Sequence, residues 1–505
     1  MTTCVHRSSF VFIALGLALA CGDDPLDPGA DASASAEETG LSSLDGSTSG
    51  GAGTGVTAGM TASSTTATTD PTPGVDDDDT GAIFDVGQQN EDTGTPETET
   101  GPVGPGSCRQ SESYGAAGGF PAFADPAYAG FTGAVLLMTS DDIYWGEPYA
   151  LRVIDISGDP PPPNLSYAAP IYHDPSWTPA NFGGGVFGLT LDSFGNIYVA
   201  ASRIYGTTQA PGRIYKVDGV TGQISTFADL PNTGPAFGNI NYDCNSETIY
   251  VVNHEDCRVY QLEMNGSIRS TYHHGTGDVT MGPAADANQP DGQFCPLGDR
   301  MWAVQSHYGR LYYSVWWEDS GRQDPAHENE IWSVAYVDDS GVPDGTTKEF
   351  EATVPGLQNN TYSNPISDIS FAATGWMLGA ERSMYADDQT GAHQSTTYEF
   401  QQMGGIWQVI GTTYVVGELP NSSAGGVDHD FEEGGYVWMT GDALDFYTND
   451  VVYGVQGTPY GGGTILNSTL IDHDAEIVNQ DKHALGDCEI PIPGDAMPPP
   501  PPPEG

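Results

Sequence analysis

Helical periodicity is nearly absent from this chain. What recurs instead, between about residue 108 and residue 490, is a short apolar run of Val, Ile and Tyr bounded by Gly, Asp and Asn. Such runs read as β-strands, because β-branched and aromatic side chains suit a pleated surface while small polar residues suit the turns between. The clearest are AVLLMTS from Ala134, GNIYVAAS from Gly195, ETIYVVNHE from Glu247, GRLYYSVWWED from Gly309, GWMLGAER from Gly375 and GYVWMTGD from Gly435. Most follow another strand that ends in a turn, as in GLTLDSFG, NINYDCNS, DISFAATG and VDHDFEEG. Several precede a third, as in GRIYKVDG, CRVYQLEM and NEIWSVAY.

The unit is therefore strand, turn, strand, loop, strand, and it recurs six times at intervals of roughly 50 to 65 residues. Stacked sandwich domains also produce many short strands. The six-fold recurrence instead predicts an all-β, six-bladed β-propeller, in which the first strand of each blade lines a central channel. The chain divides into residues 1–20, a signal peptide; 21–107, a disordered acidic tether; 108–490, the propeller; and 491–505, a Pro-rich disordered tail.

The stretch LTLDSFGNIYVAAS, continued by GRIYKVDGVTGQISTF, resembles NHL-repeat and gluconolactonase-like six-bladed propellers, in which D-x-x-G-N-I-Y-V-A marks an inner hairpin. The later part, from RLYYSVWWEDSGRQDP through ISDISFAATGWMLGAER to VYGVQGTP, is similar to uncharacterised secreted bacterial propeller proteins. The resemblance covers most of Cys108 to about Asp472 and bears on fold far more than on function, since one propeller hosts many chemistries. It implies an axial divalent cation held by Asn, Asp and Glu side chains. Aligning the inner strands on their apolar alternation places Gly188, Asn239, Met301, Asp368 and Asp428 at comparable channel-side positions. Asn239, Asp368 and Asp428 carry the oxygen donors that a hard cation such as Ca2+ prefers. The competing reading is that these polar side chains merely hydrate the pore. Loops after the second strands add a binding face of Asn253, His254, Glu255, Glu318, Asp319, Glu381, Arg382 and Asp442.

Catalytic signals are thin. The chain contains neither a G-x-S-x-G elbow nor an H-E-x-x-H pair. DANQPDG from Asp286 is not an EF-hand loop, because Pro290 stands where a ligand is needed. His254 and His429 lie near the expected face and are candidate general bases, although hydrogen-bonded loop histidines are the plainer reading. His273–His274 makes a poor metal site without further ligands. Trp302, Trp316, Trp317, Trp376, Trp407 and Trp438 fall mostly at strand positions and are expected in the core.

Charge narrows the partners. The 505 residues include 68 Asp+Glu and 14 Lys+Arg, a net charge of −54. No basic footprint for nucleic acid can be assembled from so few cations. Gly22 to Ser107 holds 17 of the acids and none of the bases. The remaining acidity, about −38, falls on the propeller and its tail, which keeps the surface hydrated and self-repelling.

The N-terminus MTTCVHRSSFVFIALGLALAC has a thin positive end and an apolar run too short to span a bilayer. Its ALAC resembles a bacterial lipobox, with Ala18 where Leu is usual, and implies lipidation of Cys21. Ordinary cleavage and secretion is the alternative. The expected address is the cell envelope, outer membrane or cell surface, with the membrane reached only through the lipid anchor.

An exported chain pairs its cysteines. Cys108 and Cys488 bracket the propeller and are expected to clasp it; Cys257 and Cys295 fall on one rim and are expected to pair; Cys244 is left over. The functional expectation is a displayed binding module for a protein, glycan or small molecule. Its alternative is a calcium-dependent, lactonase-like hydrolase at the channel mouth.

Overall fold

In the computed structural model the described residues all fall within one compact unit, Gly106–Gly505. The residues described are 119–141, 149–158, 166–206, 208–285, 290–317, 327–356, 363–372, 375–411, 413–430, 435–446, 451–474 and 483–491. The signal peptide, Cys21, the tether, Cys108, Glu318, Asp319 and the tail beyond Pro491 lie outside them.

Six sheets of four or five strands form the blades, antiparallel except where Ser166–Tyr167 adds parallel to Thr469–Asp472. Blade II is the plainest: Val186–Leu191, Ile197–Ala201, Arg213–Val217 and Ile224–Asp229 follow one another outward from the axis. Blades III to VI repeat the plan from inner strands Phe237–Asp243, Met301–His307, Ile366–Phe371 and Ser423–His429. Blade I is composite. Its inner strand, Ala484–Glu489, comes from the end of the chain and pairs with Val135–Asp141 from the beginning, Met138 facing Cys488. The six inner strands neighbour one another in a closed ring.

The turn between first and second strands needs a left-handed residue. Gly195, Gly309 and Gly375 supply it at φ 75°, 73° and 79° without the clash a Cβ would bring. Blade III places Glu247 there instead, at φ 48°.

Successive side chains of a strand point to opposite faces, so each strand serves two inter-blade cores. Ile197 and Val199 pack toward blade I with Leu137 and Val153, whereas Tyr198 and Ala200 pack toward blade III with Ile240 and Val251. Similar clusters fill the other four interfaces. This explains runs such as IYVAA and IYVV, apolar at every position rather than at alternate ones. Each large side chain buried this way contributes about 1.5–3 kcal/mol.

Cys257 and Cys295 form the expected disulfide, with Cα atoms 5.4 Å apart. The expected Cys108–Cys488 clasp is not made: Cys488 is a buried free thiol. Its side chain enters the apolar core between blades VI and I, beside Met138 and Trp438. Cys244, expected to be free, is disulfide-bonded. Ring closure is therefore carried by strand pairing. Among the described residues no helix is long and apolar enough to cross a membrane.

Candidate functional site

Inner strands of adjacent blades belong to different sheets, so their buried backbone groups find no ladder partner across the interface and must bond elsewhere. Side chains supply the bonds. Asp487 accepts from Leu189 N at 3.0 Å, linking blades I and II, and Thr190 accepts from Tyr242 N at 3.0 Å, linking II and III. Asn241 accepts from Ser306 N at 2.9 Å, and the Ser314 hydroxyl donates to Ile366 O at 2.6 Å. Asp368 accepts from Val427 N at 2.8 Å and Asp428 from Ile490 N at 2.7 Å, which returns the circuit to blade I. Every interface is stitched at least once, and two of these stitches are residues the sequence offered as metal ligands.

The structure brings Asn239 and Asp368 together. Asn239 Nδ2 donates to Asp368 Oδ1 at 3.0 Å, while its Oδ1 accepts from Ile240 N at 2.7 Å. Gly188 leaves the room: a Cβ there would lie 2.5 Å from Asn239 Oδ1. Met301 packs into the core between blades III and IV. Asp428 stands one side-chain step along the axis, level with Ser370, whose hydroxyl it accepts at 2.8 Å. That step is about 6.6 Å of strand.

The residue that meets Asp368 is Asp487, on the closing strand, which sequence reasoning missed. The two carboxyls share a hydrogen bond, and burial is the leading cause that raises both pKa values. Asp368 stands well above the usual carboxylate range, and Asp487 is pushed up to about 7. A carboxyl pair in contact keeps one proton, because two adjacent buried anions repel.

These residues do not fit a calcium ion as grouped. The Asn239 amide turns its N–H toward Asp368, the Asp428 oxygens are taken by Ser370, His429 N and Ile490 N, and the three donors do not converge. Among the described residues no group of three His, Cys, Asp or Glu side chains is arranged to hold a metal.

Ser370, His429 and Asp428 meet but form no relay. Ser370 Oγ lies 3.2 Å from His429 Nδ1, and Asp428 Oδ1 lies 3.5 Å from that same nitrogen. A base and its orienting acid need opposite nitrogens of the ring. His273 ends the strand Ile268–His273 and is half-buried, whereas His274 begins the following turn and is buried, reaching Tyr313 Oη at 3.1 Å.

The expected binding face is mostly interior. Asn253 accepts from Asn232 and from Glu255 N, Glu381 accepts from Thr396 N, and Glu255 accepts from Thr233 N. Arg382 and Asp442 form a buried pair at 3.0 Å. These groups hold the loops together.

Buried polar atoms without a partner occur at several places among the described residues, Trp407 Nε1 and Glu399 Oε2 included, and one group of them sits at that same mouth. Trp302 Nε1 and Arg382 Nε have no hydrogen-bond partner, while the His254 ring meets the Met301 backbone without a well-formed bond, and all three residues are buried. His254 packs edge-on to Trp302 at 5.3 Å, within a cluster of Phe187, Trp302, Trp316 and Met384. Arg382 adjoins it, since the space beside Gly425 is bounded by both Arg382 and Phe187. Burial, aided by the Arg300 charge, lowers the His254 pKa to about 3, so the ring is neutral at pH 7. His254 and Arg382 were legible as candidates. Trp302 was legible only as core, because nothing in a sequence marks an indole N–H that finds no acceptor.

At the opposite end of the channel a cleft of about 360 Å³ opens between Phe120, Pro121, Tyr128, Phe131 and Ile490. Its buried carboxylate, Asp430, already accepts from Tyr436 N and Trp438 Nε1.

No protein-family model and no curated protein sequence matches the chain. Among solved structures it is similar to the periplasmic gluconolactonase PpgL of Pseudomonas aeruginosa, at 13% identity over 71% of this chain and 99% of that one, TM-score 0.41. It is similar to the gluconolactonase XC5397 of Xanthomonas campestris, at 11% identity over 75% and 98%, TM-score 0.33. A protein of unknown function from Bacteroides caccae gives 8% identity over 71% and 99%, TM-score 0.36. These likenesses carry no residue of the site with them, and the six-bladed propeller rests on the sheet order and the closed ring described above.

Proposed function

We propose that this chain is a cell-envelope binding module whose ligand site is the channel mouth formed by His254, Trp302 and Arg382. One observation carries the reading: two buried residues at one mouth, Trp302 and Arg382, hold N–H groups without partners beside the neutral ring of His254, set among aromatic faces. Leaving such groups unfilled costs about 1–3 kcal/mol each, so an acceptor-bearing occupant is favoured. A small molecule rich in hydroxyl or carboxylate oxygens has the matching chemistry. The lipobox-like ALAC before Gly22 and the acidic stretch after it support display on a lipid anchor at Cys21.

The hydrolase reading keeps less support. Its carboxylates are spent in bonds between blades, and the Ser370–His429–Asp428 contact leaves the hydroxyl without an oriented base. Calcium therefore enters as an arm of the test.

The test is a thermal-shift panel on the full chain with neutral sugars, sugar acids, dicarboxylates and calcium. At a hundredfold excess over Kd a ligand adds about 2.7 kcal/mol. The reading expects an oxygen-rich member to shift the melt and Trp302→Phe to abolish that shift. A shift that survives Trp302→Phe places the site elsewhere. A calcium-specific shift lost in Asp368→Asn favours the hydrolase.

A further inference from the structure

A small hairpin interrupts blade V. Between Met377–Glu381 and Thr397–Met403 the chain turns out through Met384–Ala386 and back through Gln389–Thr390. Its root is fixed: Met384 pairs with Ser363 through both backbone bonds, at 2.7 and 3.0 Å, and its side chain is buried against Phe187, Trp302 and Trp316. Its tip carries Asp387 and Asp388. Asp387 Oδ1 lies 2.6 Å from Arg300 Nη1, at the entry to blade IV, and Asp388 Oδ2 lies 3.3 Å from Arg203 Nη2, just past the second strand of blade II. In a ring of six, blades II and V stand opposite each other. A hairpin rooted in V and paired to II therefore crosses the mouth above His254 and Trp302.

The two ends of these ion pairs differ. Arg300 is buried, held with its guanidinium 4.9 Å from the Phe294 ring and 4.7 Å from the Trp316 ring, and its Nε donates to Cys295 O. The aspartates are on the outside, with side chains 40% and 33% exposed, and Tyr385 beside them is 47% exposed. The tip buries little apolar surface of its own. Elements with few buried contacts open at the least cost, and exposed ion pairs are weakened by salt.

We propose that the Met384–Thr390 hairpin is a gate over the channel mouth, latched shut by Arg300–Asp387 and Arg203–Asp388, and that ligand reaches His254 and Trp302 only when the latch releases. This regulation rests on the mouth being the ligand site.

Hydroxyl-radical footprinting of the full chain, read residue by residue by mass spectrometry, tests the gate without any ligand. In the double variant Asp387→Asn/Asp388→Asn, oxidation of Trp302 and Met384 should rise several-fold over wild type. Arg203→Gln, which cuts the latch from the blade II side, should raise it in the same direction. Wild type should follow as salt goes from about 0.1 to about 1 M, where the Debye length falls from about 10 Å to about 3 Å. Trp177 is the control, fully buried in the core between blades I and II with its N–H given to Gly222 O. Unchanged oxidation of Trp302 and Met384 in the double variant overturns the gate. A rise shared equally by Trp177 also overturns it, because the pairs then hold the fold as a whole. Since no ligand is used, failure of the gate leaves the binding reading standing, and a panel without a binder leaves the gate standing.

Discussion

Asp487 closes the ring with a carboxyl that ordinary chemistry would leave charged, and replacing it by asparagine tests that arrangement directly. In the native chain Asp487 Oδ2 accepts from Leu189 N, Oδ1 accepts from Cys488 N at 2.9 Å, and the carboxyl also bonds to Asp368. Burial pushes its pKa up to about 7 from 3.8. A raised pKa means that the folded state holds the proton more tightly than the unfolded chain. Its stabilisation is therefore complete below the unfolded value and is lost as pH rises through the folded one. Over that interval the loss is about 4 kcal/mol. Asp487→Asn keeps one acceptor oxygen, so either Leu189 N or Cys488 N loses its bond at a cost that does not vary with pH, and its amide N–H replaces the proton shared with Asp368. The assay is denaturant unfolding from pH 4 to pH 9 in both proteins. Buried His254 and His274 have lowered pKa values, each about 3, and tilt the native profile the other way. The informative quantity is thus the difference between variant and wild type. That difference should move by about 4 kcal/mol in favour of the variant between pH 4 and pH 7, with its midpoint at about pH 5.4, halfway between 3.8 and 7, and level off above that. A difference that stays flat, or moves against the variant, refutes the shared proton.

Two further expectations follow from the same geometry. Gly188→Ala puts a Cβ 2.5 Å from Asn239 Oδ1 and 2.8 Å from its Cα; overpacking against backbone should cost about 1–3 kcal/mol in a denaturation midpoint. Removing the disulfide in Cys257→Ser/Cys295→Ser opens a loop of 38 residues and should cost about 4 kcal/mol on the chain-entropy estimate, read as a lower denaturation midpoint under non-reducing conditions.

Much of the fold was legible because a blade is a local object. Its strands are joined by turns of a few residues, and the glycines at 195, 309 and 375 mark the same left-handed position in three blades. Cys257–Cys295 was legible for that reason, since both residues flank strands of adjoining blades. The closing strand was not. HALGDCE from His483 carries no turn motif, and the one hint was that AVLLMTS from Ala134 has no strand and turn before it. Missing that strand hid Asp487. It also misplaced Cys488, whose position near the chain end suggested a clasp while the alternation of its strand directs the thiol into a core.

The sequence by itself determined the architecture and the acidity, because strand periodicity and turn chemistry depend on neighbours along the chain and net charge on composition alone. Only the tertiary structure decided what the inner polar residues do. Asp368 finds its partners on blades I, III and VI. Whether such a carboxyl binds a cation, shares a proton or takes a backbone N–H depends on how many donors surround it and on how fully water is excluded, and those are set by residues up to 129 positions away in the chain. The same holds for Trp302: its place in the core follows from its strand, while the absence of an acceptor for its N–H follows from the three other blades that meet beside it.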